Sequence, residues 1–140
     1  MAELKIAVRY FSKSGNTKKV AEAIAQAAGC ELKPIPEPIN GDVDILFLGA
    51  SVYWGGVASE VKDYIPGLNK NKIGKVVIFS TSALAQRAFP SIKKSLQKQG
   101  ITVDEDNFYC HGQGLGLHKN RPNEEDLTAA VKFTKDKLKG

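Results

Sequence analysis

The sequence predicts an α/β fold, a five-stranded parallel sheet with helices on both faces. Short apolar segments alternate along the chain with segments of helical period, which is typical of βαβ units. Two of the apolar segments, residues 45–48 and 76–79, are continuous runs. Such runs are expected for strands that are buried on both faces of a parallel sheet.

We predict strands over residues 4–10, 31–35, 43–50, 75–80 and 101–110. The second is an edge strand, since its prolines exclude a central position. We predict helices over residues 16–28, 59–65 and 86–99, and a fourth that begins at residue 124. The expected helix stops are Gly29, Pro66-Gly67 and Gly100, and Asn123 is the expected N-cap of the fourth helix. Apolar contacts are expected from Val20, Ala21, Ile24, Ala27 and Ala28 in the first helix and from Ala129, Ala130, Val131, Phe133 and Leu138 in the last.

The composition is that of one globular domain, residues 1–140. Hydrophobic residues make up 42% of the 140 residues and charged residues 25%. The N-terminal segment has no pattern of a signal peptide or a membrane span, so we expect a cytoplasmic protein without a membrane partner. Cys30 and Cys110 are too few for a disulfide framework or a zinc site, and we expect two buried thiols and no bound metal.

The formal net charge of +5 raises the possibility of a nucleic-acid partner. The lysines, however, are scattered along the chain, and acidic residues are mixed among those near the C-terminus. No arginine-rich stretch with interleaved aromatic residues is present. The charges therefore indicate a solvated surface, and we expect no nucleic acid.

In parallel sheets, ligands bind beyond the carboxyl ends of the strands, so the loops after the strands are the candidate sites. The loop after the first strand is polar and opens a helix, whose first N–H groups favour an anion. Its hydroxyl and amide groups can bind phosphate, and its glycine permits a close approach of the backbone. The alternative is ordinary helix capping. The residues of this loop are Ser12, Lys13, Ser14, Gly15, Asn16 and Thr17.

Several other α/β chemistries are excluded at these loops. The sequence contains neither the dinucleotide fingerprint G-x-G-x-x-G nor the triphosphate loop G-x-x-x-x-G-K-S/T. The loop after the first strand has no cysteine to serve as a phosphatase nucleophile. The strand that ends at Ala50 carries no aspartate at its tip, which argues against a phospho-acceptor domain.

Two further loops favour a flat aromatic ligand. Trp54 or Tyr53 can stack on such a ligand, although both could instead pack as core residues. The loop after the next long strand offers hydroxyl groups and backbone amides. Together with the first loop, these segments predict a phosphate pocket beside an aromatic slot. Their residues are Ser51, Val52, Tyr53, Trp54, Gly55 and Gly56, and Ser80, Thr81, Ser82 and Ala83.

At these residues the chain resembles the flavodoxin family, over nearly its whole length. The family's phosphate loop, Ser/Thr-x-Ser/Thr-Gly-x-Thr directly after the first strand, is matched at every fixed position by residues 12–17. The resemblance implies a strand order of 2-1-3-4-5 and an FMN cofactor whose phosphate is wrapped by this loop. It also implies that Trp54 stacks on the flavin and that the carbonyl of Gly55 can turn toward flavin N5.

Two features depart from electron-carrier flavodoxins. Residues 80–84 lack the second flavin-stacking aromatic, so Tyr109 or His111 is a candidate to cover that face of the ring. The chain is also basic, whereas those carriers are acidic.

From the loop motifs and the resemblance, we predict a monomeric electron carrier with redox protein partners and no catalytic side chain. An FMN-dependent NAD(P)H or quinone reductase is the alternative, and a binding module that has lost flavin is a third.

Overall fold

The fold is described here from a computed structural model. It describes residues 4–12, 15–35, 37–39, 41–53, 56–57, 59–82, 88–111 and 121–139. Side chains are not described for residues 52, 53, 56, 57, 82 and 88.

In the part of the chain that the structure describes, five parallel strands form the predicted sheet. They are β1 (Ile6–Tyr10), β2 (Leu32–Pro34), β3 (Val43–Tyr53), β5 (Ile73–Ser82) and β6 (Val103–His111). A short strand, β4 (Gly56–Val57), pairs antiparallel with the end of β3. The spatial order is β2-β1-β3-β5-β6. Without β4, this is the order 2-1-3-4-5 that the sequence resemblance implies.

Within the described ranges, four α-helices connect or follow the strands, α1 (Asn16–Ala28), α2 (Ser59–Tyr64), α3 (Ala88–Lys98) and α4 (Glu124–Lys139). The predicted stops of α1 and α3 are confirmed, since Gly29 (φ 70°) and Gly100 (φ 79°) adopt left-handed conformations at the helix ends. The predicted N-cap of α4 is confirmed as well. Asn123 Oδ1 accepts from the N–H of Asp126 at 3.0 Å, and Asp126 Oδ2 accepts from the N–H of Asn123 at 2.9 Å.

Several predicted boundaries are wrong. β1 begins only at Ile6 and β2 is shorter at both ends, whereas β3 runs on to Tyr53 and β5 extends by two residues at each end. β6 lies two residues later at its start and one at its end than predicted. α2 ends at Tyr64, one residue before its predicted end, and a 3-10 turn (Ile65–Gly67) follows it. β4 is absent from the prediction, because its two residues pair only through the fold-back of β3.

The core lies in two layers, one on each face of the sheet. α1 and α4 cover the face that carries Phe47 and Phe79, and α2 and α3 cover the face that carries Leu48 and Ile78. These four side chains are fully buried, so the predicted two-sided burial of β3 and β5 is confirmed. A hydrophobic residue of a central strand thus contributes to one layer or the other according to its position in the two-residue repeat.

Some contacts of the helices differ from the prediction. In α1 the buried face includes Thr17 and Ala25, whereas Ala27 and Ala28 are only half-buried. In α4 Ala129 is exposed, and Thr134 is fully buried together with Ala130. Cys110 is buried as expected, but Cys30 is half-buried. Among the residues described, no helix is long and apolar enough to cross a membrane.

Candidate functional site

The candidate site lies at the carboxyl edge of the sheet, where β1 leads into α1. The chain leaves β1 along β3, and the Phe11 N–H donates to the carbonyl of Gly49 at 3.1 Å. The loop then turns, and the Gly15 N–H donates to Ser12 Oγ at 3.0 Å. The predicted residues Ser12, Gly15, Asn16 and Thr17 therefore lie together at this edge. Lys13 and Ser14, between them in sequence, lie outside the described residues.

Gly15 begins α1 in a left-handed conformation, with φ of 91° and ψ of −5°. Residues with a side chain rarely adopt this left-handed backbone conformation, so the turn favours glycine. The Lys19 N–H makes a helical hydrogen bond to the Gly15 carbonyl at 3.1 Å. The N–H groups of Asn16, Thr17 and Lys18 precede this bond and form the positive end of the helix, which favours a bound anion.

Three buried hydroxyl groups join α1 to the ends of β3 and β5. Thr17 Oγ1 lies 2.5 Å from Ser51 Oγ and 2.8 Å from Thr81 Oγ1. β3 and β5 pair in parallel with Ser51 opposite Thr81, so the two strand residues lie side by side. The three side chains, called here the hydroxyl trio, bring together one residue from each of the three predicted site segments.

Ser80 is buried beside the trio but on the opposite face of the sheet. Its side chain is 0% exposed, and among the described residues its Oγ is the one buried side-chain polar atom without a hydrogen-bond partner. A buried hydroxyl without a partner loses its hydration without compensation. It is therefore a polar atom at the carboxyl edge that a bound group could satisfy.

The end of β3 folds back at the predicted aromatic loop. Val52 pairs with Val57 and Tyr53 with Gly56, so β4 returns along β3 immediately. The two residues between them, Trp54 and Gly55, lie outside the described residues, as does Ala83 after β5. The structure places the backbones of Val52, Tyr53, Gly56 and Ser82 at this edge and leaves their side chains undescribed.

Tyr109 and His111 lie at the end of β6, beside β5. Tyr109 pairs with Ser80 and His111 with Ser82, on the same flank of the site as the third predicted loop. Their rings pack edge to face with centroids 5.6 Å apart, and Tyr109 Oη lies 3.5 Å from His111 Nδ1. Both remain candidates to line the aromatic slot.

The Asp126 carboxylate, in the first turn of α4, is paired with Arg121. Arg121 Nη2 donates to Asp126 Oδ1 at 2.7 Å, and this hydrogen bond lowers the pKa of the Asp126 carboxyl. Burial alone would raise that pKa, and the Asn123 N–H lowers it further. The predicted assignment of the segment before α4 to helix capping thus agrees with its contacts.

Sequence reasoning missed the role of Arg9, a buried cation in β1 that is only 6% exposed. Its guanidinium donates to the carbonyls of Val8 at 3.0 Å, Glu37 at 3.0 Å and Pro38 at 2.8 Å. It thereby fixes the connection between β2 and β3, whose described residues contain no helix. The available signal is an arginine inside an otherwise apolar strand.

A cavity of about 600 Å³ lies between that connection and the segment that follows α2. Its lining includes the apolar residues Ile35, Leu68 and Ile73, together with Tyr64, Glu60 and Asp63. None of the predicted site residues that the structure describes contributes to it. No group of three or more metal-ligating side chains occurs among the residues that the structure describes.

Comparisons with known proteins agree with this geometry. Residues 7–113 match the family model of the flavodoxin domain. An uncharacterized protein of Methanocaldococcus jannaschii is 29% identical over the aligned region, which covers 89% of this chain and 91% of that protein.

Solved structures share the fold at low sequence identity. A flavodoxin from the domain Archaea superimposes with a TM-score of 0.77 at 18% identity, and covers 98% of this chain and 100% of its own. Flavodoxin 2 from Bacillus cereus gives 0.69 at 19% identity, with 94% and 95% covered. The flavodiiron protein from Giardia intestinalis gives 0.73 at 20% identity, and there the match covers 96% of this chain but only 35% of the larger one.

Proposed function

The chain belongs to the flavodoxin family, and on that basis we propose that it binds FMN and acts as a small electron-transfer protein. The observation that carries the proposal is the hydroxyl trio, which joins the phosphate-loop helix to the two strands that lead into the aromatic and hydroxyl-rich loops. A site assembled from these three segments fits a ligand with a phosphate at one end and a flat ring at the other.

The phosphate end is the start of α1. The proposed ligands are the first-turn amides, including those of Asn16 and Thr17, together with the side chains of Ser12, Lys13 and Ser14. The left-handed Gly15 supports this assignment, because it turns the loop into the helix without a side chain in the way. Phosphate at a helix N-terminus is stabilised by the N–H groups and by the helix dipole.

The ring end comprises the segments that follow β3 and β5. We propose that Trp54 stacks on the flavin, that Ser51, Val52, Tyr53, Gly55 and Gly56 form the slot, and that Ser80, Thr81, Ser82 and Ala83 form its second wall. The partnerless hydroxyl of Ser80 supports this wall as a place for a polar ring edge. The residues present therefore fit the cofactor.

The chemistry would be that of the cofactor, since bound FMN can accept and release electrons without help from an acid, base or nucleophile. The chain's own residues hold the phosphate, stack the ring and exclude water. Among the predicted site residues there is no Asp or Glu, and Lys13 adds a positive charge. We therefore propose a reduction potential less negative than that of acidic flavodoxins, and redox protein partners that are acidic or uncharged.

Titration of the purified protein with FMN and with riboflavin tests the cofactor. We expect tight FMN binding with quenching of Trp54 fluorescence, and far weaker binding of riboflavin, which lacks the phosphate. Equal affinity for the two ligands would contradict the phosphate assignment. Anaerobic addition of NADPH to the FMN-loaded protein then separates a carrier from a reductase, because direct bleaching of the flavin would favour the reductase.

A further inference from the structure

The cavity beside the connection between β2 and β3 lies where that connection is unusually short. Only residues 35–42 carry the chain from β2 past β1 to β3, and the described part of this segment contains no helix. Parallel strands are usually joined by a longer crossover that includes a helix. Here the connection borders a cavity of about 600 Å³ instead, and this volume is typical of small-molecule sites.

We propose that this cavity binds a small organic cation, an apolar or aromatic body that carries an ammonium group. The proposal goes beyond electron transfer, since none of the predicted site residues that the structure describes belongs to the lining. An apolar body is favoured by Ile35, Leu68 and Ile73, which line the cavity and belong to the hydrophobic core. Burial of apolar ligand surface against such side chains is the main source of affinity in small-molecule sites.

Hydrogen bonds join the two sides of the cavity. The Glu37 carbonyl accepts from Arg9 Nε at 3.0 Å and from Tyr64 Oη at 2.7 Å. Arg9 Nη2 also donates to the Pro38 carbonyl at 2.8 Å. Tyr64 lines the cavity from α2 and Pro38 lines it from the connection. Because these bonds tie both sides to β1, the cavity is pre-formed, and a ligand need not order it on binding.

The charges of the lining favour a cation. Glu60 and Asp63 are both exposed and lie three positions apart on α2, so they are neighbours on the helix surface. Within the described part of the chain, neither forms an ion pair. Lys72 offsets one of them, which leaves the lining with a net negative charge on a chain of net charge +5. The guanidinium of Arg9 is bonded to carbonyls and is not part of the lining.

The test uses three probes of similar shape, the cation phenethylamine, the neutral phenethyl alcohol and the anion hydrocinnamate. Each is titrated at neutral pH and low salt into the isotope-labelled protein, with and without saturating FMN, and amide NMR shifts are followed. We expect shifts at Tyr64, Leu68 and Ile73 and, for the amine, a Kd of about 1 mM, as suits so small a ligand. The alcohol should bind about threefold more weakly than the amine, and the anion more weakly still.

Variants then separate charge from shape. The double variant Glu60→Gln/Asp63→Asn should weaken the amine to the affinity of the alcohol and leave the alcohol unchanged. The matched control is Asp136→Asn in α4, whose side chain is 57% exposed and lies outside the lining, and it should change neither Kd. Ile39→Trp places a larger side chain in the lining and should weaken all three probes.

Three results would overturn the proposal. They are the absence of shifts between α2 and β5, an anion that binds as tightly as the amine, and an amine Kd that the double variant does not change. Saturation with FMN should leave the amine Kd unaltered, and loss of the shifts on FMN addition would assign the probe to the candidate flavin site instead. If the protein binds no flavin, the measurements on the flavin-free protein still decide the proposal, so its failure and that of the proposed function are distinguishable.

Discussion

The two ends of β5 use polar side chains in different ways. At the carboxyl end, the polar side chains that the structure describes are those of the neutral residues Ser80 and Thr81, both buried. Near the amino end, Lys75 Nζ lies 3.0 Å from Asp104 Oδ2 on the neighbouring strand β6. Lys137 Nζ of α4 lies 2.9 Å from the other oxygen of Asp104 and 2.7 Å from Asp106 Oδ2. Hydroxyl groups thus join the carboxyl end of β5 to its neighbours, whereas ion pairs join the elements near its amino end.

The ion pairs hold Asp104 in its charged form. Burial of the side chain works against the charge, but hydrogen bonds from the Asp106 N–H, Lys137 and Lys75 outweigh it, and the pKa of the Asp104 carboxyl falls to about 2. This end of the sheet is therefore stabilised by interactions that depend on pH. The hydroxyl trio at the other end carries no charge and does not titrate.

The difference has a functional consequence. Fixed carboxylates beside a phosphate or a reduced flavin would repel it, whereas neutral hydroxyls can donate hydrogen bonds at no such cost. The structure keeps the Asp104 and Asp106 carboxylates at the amino end of β6, away from the candidate site. The absence of carboxylates from the predicted site residues therefore suits the anionic cofactor that we propose.

The largest expected effect concerns the packing of Gly49 against Phe79, on the same face of the sheet as the hydroxyl trio. A methyl group at Gly49 would overlap the fully buried Phe79 ring, which lies on the same face as Ser51 and Thr81. Gly49→Ala should lower the free energy of unfolding by about 3 kcal/mol, at the upper end for overpacked cores. Urea denaturation measures this, with Gly67→Ala as control, since a methyl group there meets no atom within 4 Å. If Gly49→Ala lowered the free energy of unfolding by no more than Gly67→Ala does, the Phe79 ring would be able to move aside.

The second-largest expected effect concerns the ion pairs that Asp104 makes with Lys75 and Lys137. A carboxyl pKa lowered on folding contributes stability above its unfolded value, near pH 4, and the contribution is lost as the pH falls toward 2. The difference in unfolding free energy between wild type and Asp104→Asn should therefore narrow by about 2 kcal/mol from pH 5 to pH 2. Glu105→Gln is the control, because the Glu105 side chain is 85% exposed. A difference independent of pH would contradict the role of the ion pairs.

The smallest expected effect concerns the start of α1. Gly15→Ala places a side chain in a left-handed conformation and should cost about 1 kcal/mol. Gly29→Ala has the same backbone cost at the other end of the helix, where φ is 70°. Both variants should lose similar stability in thermal unfolding, but only Gly15→Ala should also weaken FMN. Equal FMN affinity in the two would argue against a phosphate site at Gly15.

Local sequence determined much of this protein. The 16–28 helix is correct at both ends, because an amphipathic segment is followed by a glycine that adopts the left-handed conformation. The apolar runs of β3 and β5 are central strands because no other position buries both of their faces. The phosphate-loop motif and the strand–loop–helix order also follow from neighbouring residues, so the location of the candidate site could be predicted.

Tertiary structure alone decided how these parts are joined. β4 and the last residues of β3 are strands only because the chain folds back on itself, and β-structure depends on a partner. The hydrogen bonds of Thr17 to Ser51 and Thr81, of Arg9 to the carbonyls after β2, and of Lys75 and Lys137 to Asp104 link residues about 30 or more positions apart. Local sequence indicates that such polar groups exist. Which of them meet is fixed by strand register and helix packing, because burial leaves each group only the partners that the fold places within reach.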